Sequence, residues 1–302
     1  MAFKNKKIKL VIPQQIQSNL LVLPQFVQKG NPFDQYDEID SIGEGAFGSI
    51  YRVKKRICGI FKAIKVLNAG PLETPNILKA LNEAEIGLQM KHPNILTIEE
   101  VWYDGTRFFF IMDLIEPLTS SSLPESRKEK IVLFQQLVSA GAHLYSKGVL
   151  HRDIKIQNTG LMLGEKLRLV LFDFGEACKI SDYYNECAGT ALYMSPEVVN
   201  FYQYSDKSEI WALLSFLIEI LTGKAMILHL FSGALGSIAT IHVQLKIDSL
   251  KEPPIPEVFK EDDSQASKLL LQILEKGLAI DPKARISFTE LEHLLRELID
   301  IL

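Results

Sequence analysis

Two aspartates near the middle of the chain have the types and neighbours that phosphoryl transfer requires. Asp153 ends the run HRD at 151–153, Asp173 opens the run DFG at 173–175, and Asn158 lies between them. A carboxylate can accept the proton of a hydroxyl nucleophile, and carboxylate or amide oxygens are the ligands that Mg²⁺ prefers. Phosphoryl transfer depends mainly on positioning and charge neutralisation, so an oriented nucleophile and a held metal ion would give both acids a role.

A glycine-rich run earlier in the chain could handle phosphates. Gly43, Gly45 and Gly48 stand between two β-like runs, where the missing Cβ lets backbone N–H groups approach a phosphate. The same spacing marks dinucleotide-binding turns, but those run from a strand into a helix, whereas here SIYRV continues as strand. Strand alternation then points Ala63 and Lys65 to the same side. The pattern favours a hairpin over a nucleotide, with a cation beside it.

The elements that must position these residues fall into two parts. From 36 to 112, β-like runs alternate with one helical stretch at 78–90, which predicts a small antiparallel sheet with one helix. Beyond residue 113, helical spacing recurs at 127–146, 207–221, 267–278 and 289–302. The second part is therefore predicted to be mainly helical. Residues 1–35 lack sustained periodicity and are predicted to pack loosely or to lie along the domain.

Composition narrows the class of protein. The chain has 302 residues, 47% of them hydrophobic, which is ample for a buried core, and its net charge of -4 argues against nucleic acid as the main partner. Its three cysteines have neither metal-ligand spacing nor an even number, which favours a reducing, cytoplasmic location. Residues 225–243 contain no Asp, Glu, Lys or Arg, but serine, threonine and histidine interrupt them. We predict a buried core helix there and no membrane span.

Five motifs stand in one order: the glycine run, the strand lysine, HRD-x-K-x-x-N, DFG, and SPE at 195–197. In this order they make the chain resemble the eukaryotic-type serine/threonine protein kinase family from about Tyr36 to Leu302. The resemblance implies an α+β, bilobal protein kinase fold. A small antiparallel β-sheet lobe with one main helix would cover about 36–113, and a mainly helical lobe about 114–302. Residues 1–35 would be an extension before the kinase domain at 36–302.

The resemblance implies that Lys65 contacts the inner phosphates of ATP and pairs with a helix glutamate. Glu83 is the expected partner, because its distance before the HPNIL run at 92–96 is similar to the interval in the family. Glu85, two residues further, would point about 200° away around a helix.

The two aspartates receive separate roles from the same resemblance. Asp153 would accept the proton of the acceptor hydroxyl, and Asp173, with Asn158 assisting, would hold Mg²⁺ on ATP. Lys155, two positions after Asp153, is similar to the lysine of serine/threonine kinases and would be catalytic. Thr190 would bridge the aspartate and the lysine.

For the nucleotide, the resemblance implies a glycine flap, apolar contacts to adenine and backbone groups of the connector between the lobes. The implied set is Ile42, Gly43, Gly45, Gly48, Ile50, Ala63, Lys65, Met112, Asp113, Ile115 and Asp173, and the implied cofactors are ATP and Mg²⁺. The segment at 189–197 is similar to that of kinases that act on proteins, so a protein substrate is expected. Its Glu197 should pair with Arg285.

The chain departs from the family pattern in four respects. Gly87 stands four residues after Glu83, where a bulky apolar residue is usual, and Glu209 stands where an aspartate usually caps the catalytic-loop backbone. Leu214 replaces a usual glycine. The floor under the adenine is ambiguous between Gly160 and Leu161, and Ile156 replaces a common proline.

Alternative functions remain open on the sequence. The chain could be a pseudokinase scaffold that binds nucleotide and partner proteins without efficient catalysis, or a small-molecule phosphotransferase. The intact Lys65, Asp153, Asn158 and Asp173 favour an active protein kinase. The sequence predicts no nucleic-acid partner and no membrane span, and it makes no prediction of oligomeric state.

Overall fold

The computed structural model describes residues 23–45, 48–68, 75–162, 164, 167–182, 187–231 and 240–302. Residues 1–22, which hold most of the predicted extension, lie outside the described residues. The strands are β1 (Val27–Lys29), β2 (Tyr36–Gly45), β3 (Gly48–Lys55), β4 (Phe61–Asn68), β5 (Ile98–Tyr103), β6 (Arg107–Asp113), β7 (Glu116–Pro117), β8 (Val149–Leu150), β9 (Thr159–Met162), β10 (Arg168–Leu171) and β11 (Cys178–Lys179). The α-helices are α1 (Pro75–Gln89), α2 (Arg127–Ser146), α3 (Pro196–Phe201), α4 (Asp206–Thr222), α5 (Thr240–Asp248), α6 (Gln265–Gly277) and α7 (Phe288–Ile301).

The first lobe is a sheet whose inner strand, β6, is apolar on both faces. Phe108 and Phe110 join a cluster that includes residues of α1, whereas Phe109 and Ile111 join a cluster on the other face, as strand alternation requires. The strand order is β1-β5-β6-β4-β3-β2, antiparallel except that β1 runs parallel to β5. The predicted small sheet with one main helix is confirmed. The structure adds β1, a parallel edge strand that the sequence pattern did not predict.

The second lobe is built around α4. Every residue of α4 from Ser208 to Ile218 is buried, because α2, α6 and other elements pack around it. Ser205 caps its first turn by accepting the N–H of Lys207. The helix predicted at 127–146 coincides with α2, and those predicted at 207–221, 267–278 and 289–302 agree with α4, α6 and α7 to within about two residues. The predicted mainly helical lobe is confirmed.

The prediction of one buried helix over 225–243 is wrong. A 3₁₀ turn occupies Met226–Leu230, and α5 begins at Thr240, while 232–239 lie outside the described residues. On α5, Val243 is buried but Ile241 and Leu245 are exposed. The absence of charged residues therefore did not indicate one buried helix. A stretch without charge has no apolar repeat that would show which residues form one helical face. Within the described ranges, no helix combines the length and apolar character that crossing a membrane requires.

Leu214 on α4 has a matching position on α6. A Cβ at Gly277 would overlap Leu214 Cδ1, so the leucine side chain fills the space beside that glycine. The absence of a side chain at Gly277 thus makes room for the larger residue at position 214, which keeps the α4–α6 interface closely packed.

Candidate active site

Asp153 lies in the loop after β8, and both of its carboxylate oxygens have side-chain partners. Lys155 Nζ lies 2.6 Å from Oδ2, and Thr190 Oγ1 donates to Oδ1 at 2.8 Å. Asn158 Nδ2 donates to Oδ2 at 2.9 Å and to the backbone oxygen of Asp153 at 2.8 Å. Lys155 Nζ also donates to Thr190 Oγ1 at 2.7 Å. Bonds to charged groups are short and directional, so these partners fix the orientation of the Asp153 carboxylate.

Glu209, on the buried helix α4, holds the backbone of the same loop. Its Oε2 accepts the N–H of His151 and its Oε1 accepts the N–H of Arg152, each at 3.0 Å. Burial raises the pKa of Glu209 to about 7, although these two bonds and the charge of Arg152 act in the opposite direction. The longer side chain of glutamate thus reaches the N–H groups of both His151 and Arg152. The carboxyl that binds the loop backbone has a pKa of about 7.

Arg152 is the strained residue of this loop. Its φ is 64°, a left-handed conformation that is unfavourable for a long side chain. Its Nε donates to the backbone oxygen of Glu176 at 2.6 Å, and its guanidinium lies 5.3 Å from the ring centre of Tyr204. Together with Glu209, these contacts hold the strained conformation.

Lys65 on β4 joins α1 to the DFG segment. Its Nζ lies 2.6 Å from Glu83 Oε1 and 2.8 Å from Asp173 Oδ1. Burial alone would lower the pKa of Lys65, but the two carboxylates raise it, so the ammonium stays protonated. Burial would raise the pKa of Asp173, yet Lys65 lowers it below its ordinary value. The structure thus pairs Lys65 with Glu83, as the resemblance implied, and adds a direct contact between Lys65 and Asp173.

Glu83, rather than Glu85, faces Lys65. Burial raises the pKa of Glu83, and the Lys65 ammonium opposes that shift. Glu85 instead lies 2.6 Å from Nζ of Lys179 on the surface. The separation of two residues along α1 explains why only one of the two glutamates reaches the strand lysine.

Asn158 and Asp173 present oxygen atoms suited to Mg²⁺. The amide nitrogen of Asn158 makes both bonds to Asp153, which leaves its carbonyl oxygen Oδ1 as the atom that can bind a cation. Lys65 donates to Oδ1 of Asp173. In the described part of the chain, no side chain donates to the other carboxylate oxygen, Oδ2. Mg²⁺ takes one or two protein oxygens and completes its shell with phosphate and water, so this donor set fits the ion.

The glycines of the run lie where β2 ends and β3 begins, with Gly45 paired opposite Gly48. Gly48 has φ 154°, and a Cβ there would overlap the backbone oxygen of Val66 on β4. Only glycine fits at this point, where the hairpin meets the strand that carries Lys65. Residues 46 and 47 at the tip lie outside the described residues.

The residues predicted around adenine lie on the neighbouring strands and the connector. Ala63 is buried and pairs with Met112 in register, and Gly43 pairs with Ile50. Ile42 is 43% exposed. Two other predicted residues lie beyond them: Asp113, 2.8 Å from Lys62 Nζ, and Ile115, whose Cδ1 lies close to Gly160.

Two departures from the family pattern prove to be filled by isoleucines from adjacent strands or loops. A Cβ at Gly87 would lie 2.5 Å from Ile98 Cδ1, and a Cβ at Gly160 would lie 2.6 Å from Ile115 Cδ1. Leu161 points into the main core, with 2% exposure. The side chain of Ile115 thus fills the space beside Gly160, and the assignment of the adenine floor to Gly160 or Leu161 stays a prediction.

A cavity of about 350 Å³ joins the two acidic centres. Its lining includes Lys65, Glu83, Asp153, Lys155 and Asp173. Gly189 and Thr190 line it as well, and the φ of 95° at Gly189 brings its backbone against Arg152. The apolar residues predicted around adenine lie outside this lining. The cavity thus brings together Lys65, Asp153 and Asp173, whereas Asn158 and the glycines of the run are not among its lining residues.

Sequence reasoning missed the contacts between α1 and the segment after DFG. Asn82 Nδ2 donates to the backbone oxygen of Ala177 at 2.8 Å, and Lys79 Nζ lies 2.6 Å from Glu176 Oε1. Lys79 and Asn82 are three residues apart on the predicted helix, so the sequence indicates that they share one face. It does not indicate which segment that face contacts.

The predicted pair of Glu197 and Arg285 is confirmed. Arg285 Nη1 and Nη2 lie 2.6 and 2.8 Å from Glu197 Oε1 and Oε2, in a buried bidentate pair. The guanidinium also lies 4.8 Å from the ring centre of Trp211. This pair anchors α3, which follows the segment that contains Thr190, to the rest of the helical lobe.

Comparison with known proteins agrees with this geometry. A family model described as the protein kinase domain matches residues 36–295. Cyclin-dependent kinase-like 1 of Caenorhabditis elegans is 28% identical over 280 residues, covering 85% of this chain and 79% of that protein. Probable serine/threonine-protein kinase nek3 of Dictyostelium discoideum and serine/threonine-protein kinase Nek1 of Mus musculus are each 30% identical, over 86% and 81% of this chain. The chain spans only 23% and 20% of those two proteins.

Proposed function

The chain belongs to the eukaryotic-type serine/threonine protein kinase family, and from this premise we propose that it transfers the γ-phosphate of ATP to serine and threonine hydroxyls of protein substrates. One observation carries the proposal. Asp153, oriented by Lys155 and Thr190, and Asp173, paired with Lys65, line the same cavity. An acceptor hydroxyl and the phosphates of ATP can therefore meet there.

In the proposed reaction, Asp153 accepts the proton of the acceptor hydroxyl as the new oxygen–phosphorus bond forms and the bond to the β-phosphate oxygen breaks. Lys155 lies 2.6 Å from Asp153, so its ammonium can stabilise the transferring phosphoryl group. Lys65, fixed by Glu83, contacts the inner phosphates. Mg²⁺ held by Asp173 and Asn158 would neutralise the charge on the β and γ oxygens.

The serine/threonine preference rests on Lys155 and Thr190. Lys155 donates to Thr190, which donates to Asp153, so the segment that receives substrate is tied to the acid that receives the proton. A cytoplasmic location, predicted from the cysteine pattern, stays part of the proposal.

The proposal is tested by incubating the protein with labelled ATP, Mg²⁺ and a mixture of proteins, followed by analysis of the labelled amino acids. We expect phosphoserine and phosphothreonine from the unmodified chain and none from Asp173→Ala. Asp263→Ala is the matched control, because its carboxylate is fully exposed and remote from the cavity lining.

Two results would overturn the proposal. Equal labelling by the unmodified chain and Asp173→Ala, or no labelling by either across several protein mixtures, would favour a scaffold that binds partners without transferring phosphate. Label on a metabolite and on no protein would assign the chain to small-molecule phosphotransfer.

A further inference from the structure

Residues 23–29, which we call the N-terminal strap, precede the matched family region at 36–295 but belong physically to the first lobe. Their strand β1 pairs with β5, with Val27 opposite Val101 and Lys29 opposite Tyr103. The N–H of Gly30 then donates to the backbone oxygen of Tyr103 at 2.9 Å. The strap therefore completes one edge of the sheet.

The strap is tied down where it leaves the sheet. Asn31 Oδ1 accepts the N–H of Phe33 at 3.0 Å and starts a 3₁₀ turn. The Phe33 ring packs edge-on against Tyr51 and Phe109, with centroids 5.9 and 6.1 Å away. Phe33, just after the strap, is thus anchored on the opposite face of the sheet. This contact fixes the C-terminal end of the strap.

The apolar side chains of the strap share one cluster with α1. Val27 is 8% exposed, and the partly buried Leu23 and Phe26 pack on the same cluster. That cluster contains Ile77, Ala80 and Ala84 of α1 together with Ile98 and Val101 of β5. The spacing of three and four residues places the α1 members on one face of the helix.

Glu83 lies beside this face, immediately before Ala84. Because α1 turns about 100° per residue, any rotation of the face that contains Ala80 and Ala84 also moves Glu83. The contact between Glu83 and Lys65 is only 2.6 Å long, so a small displacement of Glu83 would break it.

The ion pairs of α1 hold it less firmly than its buried apolar contacts do. The ion pairs Lys79–Glu176 and Glu85–Lys179 join α1 to the segment after DFG, but at least one side chain of each is more than a third exposed. Water and salt weaken exposed pairs of this kind. The apolar contacts of α1 are therefore the firmer ones, and within the cluster that the strap joins they include the fully buried Ile77 beside Ala80 and Ala84.

We propose that the N-terminal strap positions α1, and through it Glu83, so that Val27 and Phe26 are positioning residues for Lys65. The inference rests on the proposed function for its effect on phosphate transfer, whereas its effect on α1 is independent of catalysis. The strap acts as an intramolecular clamp on the helix that carries one half of the Lys65–Glu83 pair.

The test compares the unmodified chain with Phe26→Ala/Val27→Ala. Gln28→Ala is the matched control, because Gln28 lies on the same strand with an exposed side chain, and Val27→Ile is the conservative rescue. Two properties are measured on the full chain. One is the hydrogen exchange of backbone amides in α1 and α2, and the other is the kcat and KM of phosphate transfer to a peptide with a free serine or threonine hydroxyl. Both are measured well below the unfolding temperature of each variant.

We expect the α1 amides of the double variant to exchange about tenfold faster while those of α2 are unchanged. We expect kcat to fall about tenfold with the peptide KM unchanged, and Gln28→Ala and Val27→Ile to behave like the unmodified chain. Unchanged α1 exchange, or equal acceleration in α1 and α2, would overturn the inference. If the unmodified chain transfers no phosphate, the proposed function fails, but the exchange measurement still decides the role of the strap.

Discussion

The two sides of the cavity are held in different ways. On the side of the acceptor hydroxyl, Asp153 is bound by three side chains, and its loop rests on the buried Glu209. On the side of the phosphates, Glu83 has one cation, Lys65, and lies on α1, whose ion pairs with the segment after DFG are partly exposed. The first side is fixed within one lobe, whereas the second depends on the position of α1.

This difference indicates which structural change would alter the rate of phosphate transfer most. A carboxylate with several buried partners keeps its direction when one partner shifts, but a single ion pair between two elements is lost when either element moves. Displacement of α1 is therefore the structural change to which the site is most sensitive. The variants below test the two sides separately.

Lys65→Met breaks the phosphate side and has the largest expected effect. Removal of the ammonium leaves Glu83 and Asp173 close together without their shared cation, so phosphate transfer should fall about 10²–10³-fold. Steady-state kinetics with a peptide substrate measure the change. Lys54→Met, on the adjacent strand and stacked on Phe61, is the control and should keep full activity. A loss of less than threefold would contradict the role given to Lys65.

Glu209→Gln tests the acceptor side through pH. Since the pKa of Glu209 is about 7, the unmodified chain should lose kcat as pH falls through 7, when protonation removes one acceptor from the His151 and Arg152 N–H groups. The glutamine variant should have roughly tenfold lower kcat and lack this step, because an amide offers only one acceptor oxygen. Glu209→Asp should retain the step. Identical pH profiles for all three proteins would contradict the assignment.

The same carboxyl affects stability in the opposite direction. Its pKa in the folded chain, about 7, exceeds the ordinary value of 4.5, so the folded state binds the proton more tightly. Glu209 therefore contributes stability that is fully present below pH 4.5 and is lost as pH rises through 7, by about 3 kcal/mol. Denaturant unfolding at several pH values should show this decline in the unmodified chain and a smaller one in Glu209→Gln.

Gly87→Ala perturbs the phosphate side by packing alone. The new Cβ would lie 2.5 Å from Ile98 Cδ1, so the Ile98 side chain must move and press on α1 or β5, and activity should fall severalfold. Alanine favours the helix by about 1 kcal/mol over glycine, which offsets part of the stability lost. Ile98→Ala removes the clashing atoms, so the double variant should be more active than the two single effects predict. Strict additivity would show that the two residues are not coupled.

Gly277→Ala makes the same kind of change far from the cavity and should have the smallest effect on activity. Its Cβ would overlap Leu214 Cδ1, so the free energy of unfolding should fall by about 1–3 kcal/mol. Activity of the folded fraction should stay unchanged, because α4 and α6 meet away from the cavity lining. If Gly277→Ala and Gly87→Ala lowered kcat equally, the contrast between the two sides would be lost.

The local motifs and long helices were predictable because each is encoded by neighbouring residues. Helical periodicity gave α2 to the residue, and helix rotation separated Glu83 from Glu85 as partners of Lys65. The resemblance carried by HRD and DFG implied that Asp153 and Asp173 act in one site, and both line the same cavity.

The missing features are contacts between distant segments. Nothing near Gly87 indicates that Ile98 fills its space, and nothing near Gly277 indicates Leu214, because each pair meets only in the folded chain. The three-residue strand β1 was too short for alternation to reveal. The charge-free stretch at 225–243 was misread because composition reports polarity without period.

The separate roles of the two aspartates are tested most directly by the affinity for ATP with Mg²⁺, measured by calorimetry on Asp153→Asn and Asp173→Asn. Asp153→Asn should bind ATP with Mg²⁺ as the unmodified chain does, because Asp153 acts on the acceptor hydroxyl. Asp173→Asn should bind at least tenfold more weakly, since it loses a charged ligand of the metal ion. Equal weakening by the two substitutions, or none by Asp173→Asn, would contradict the account.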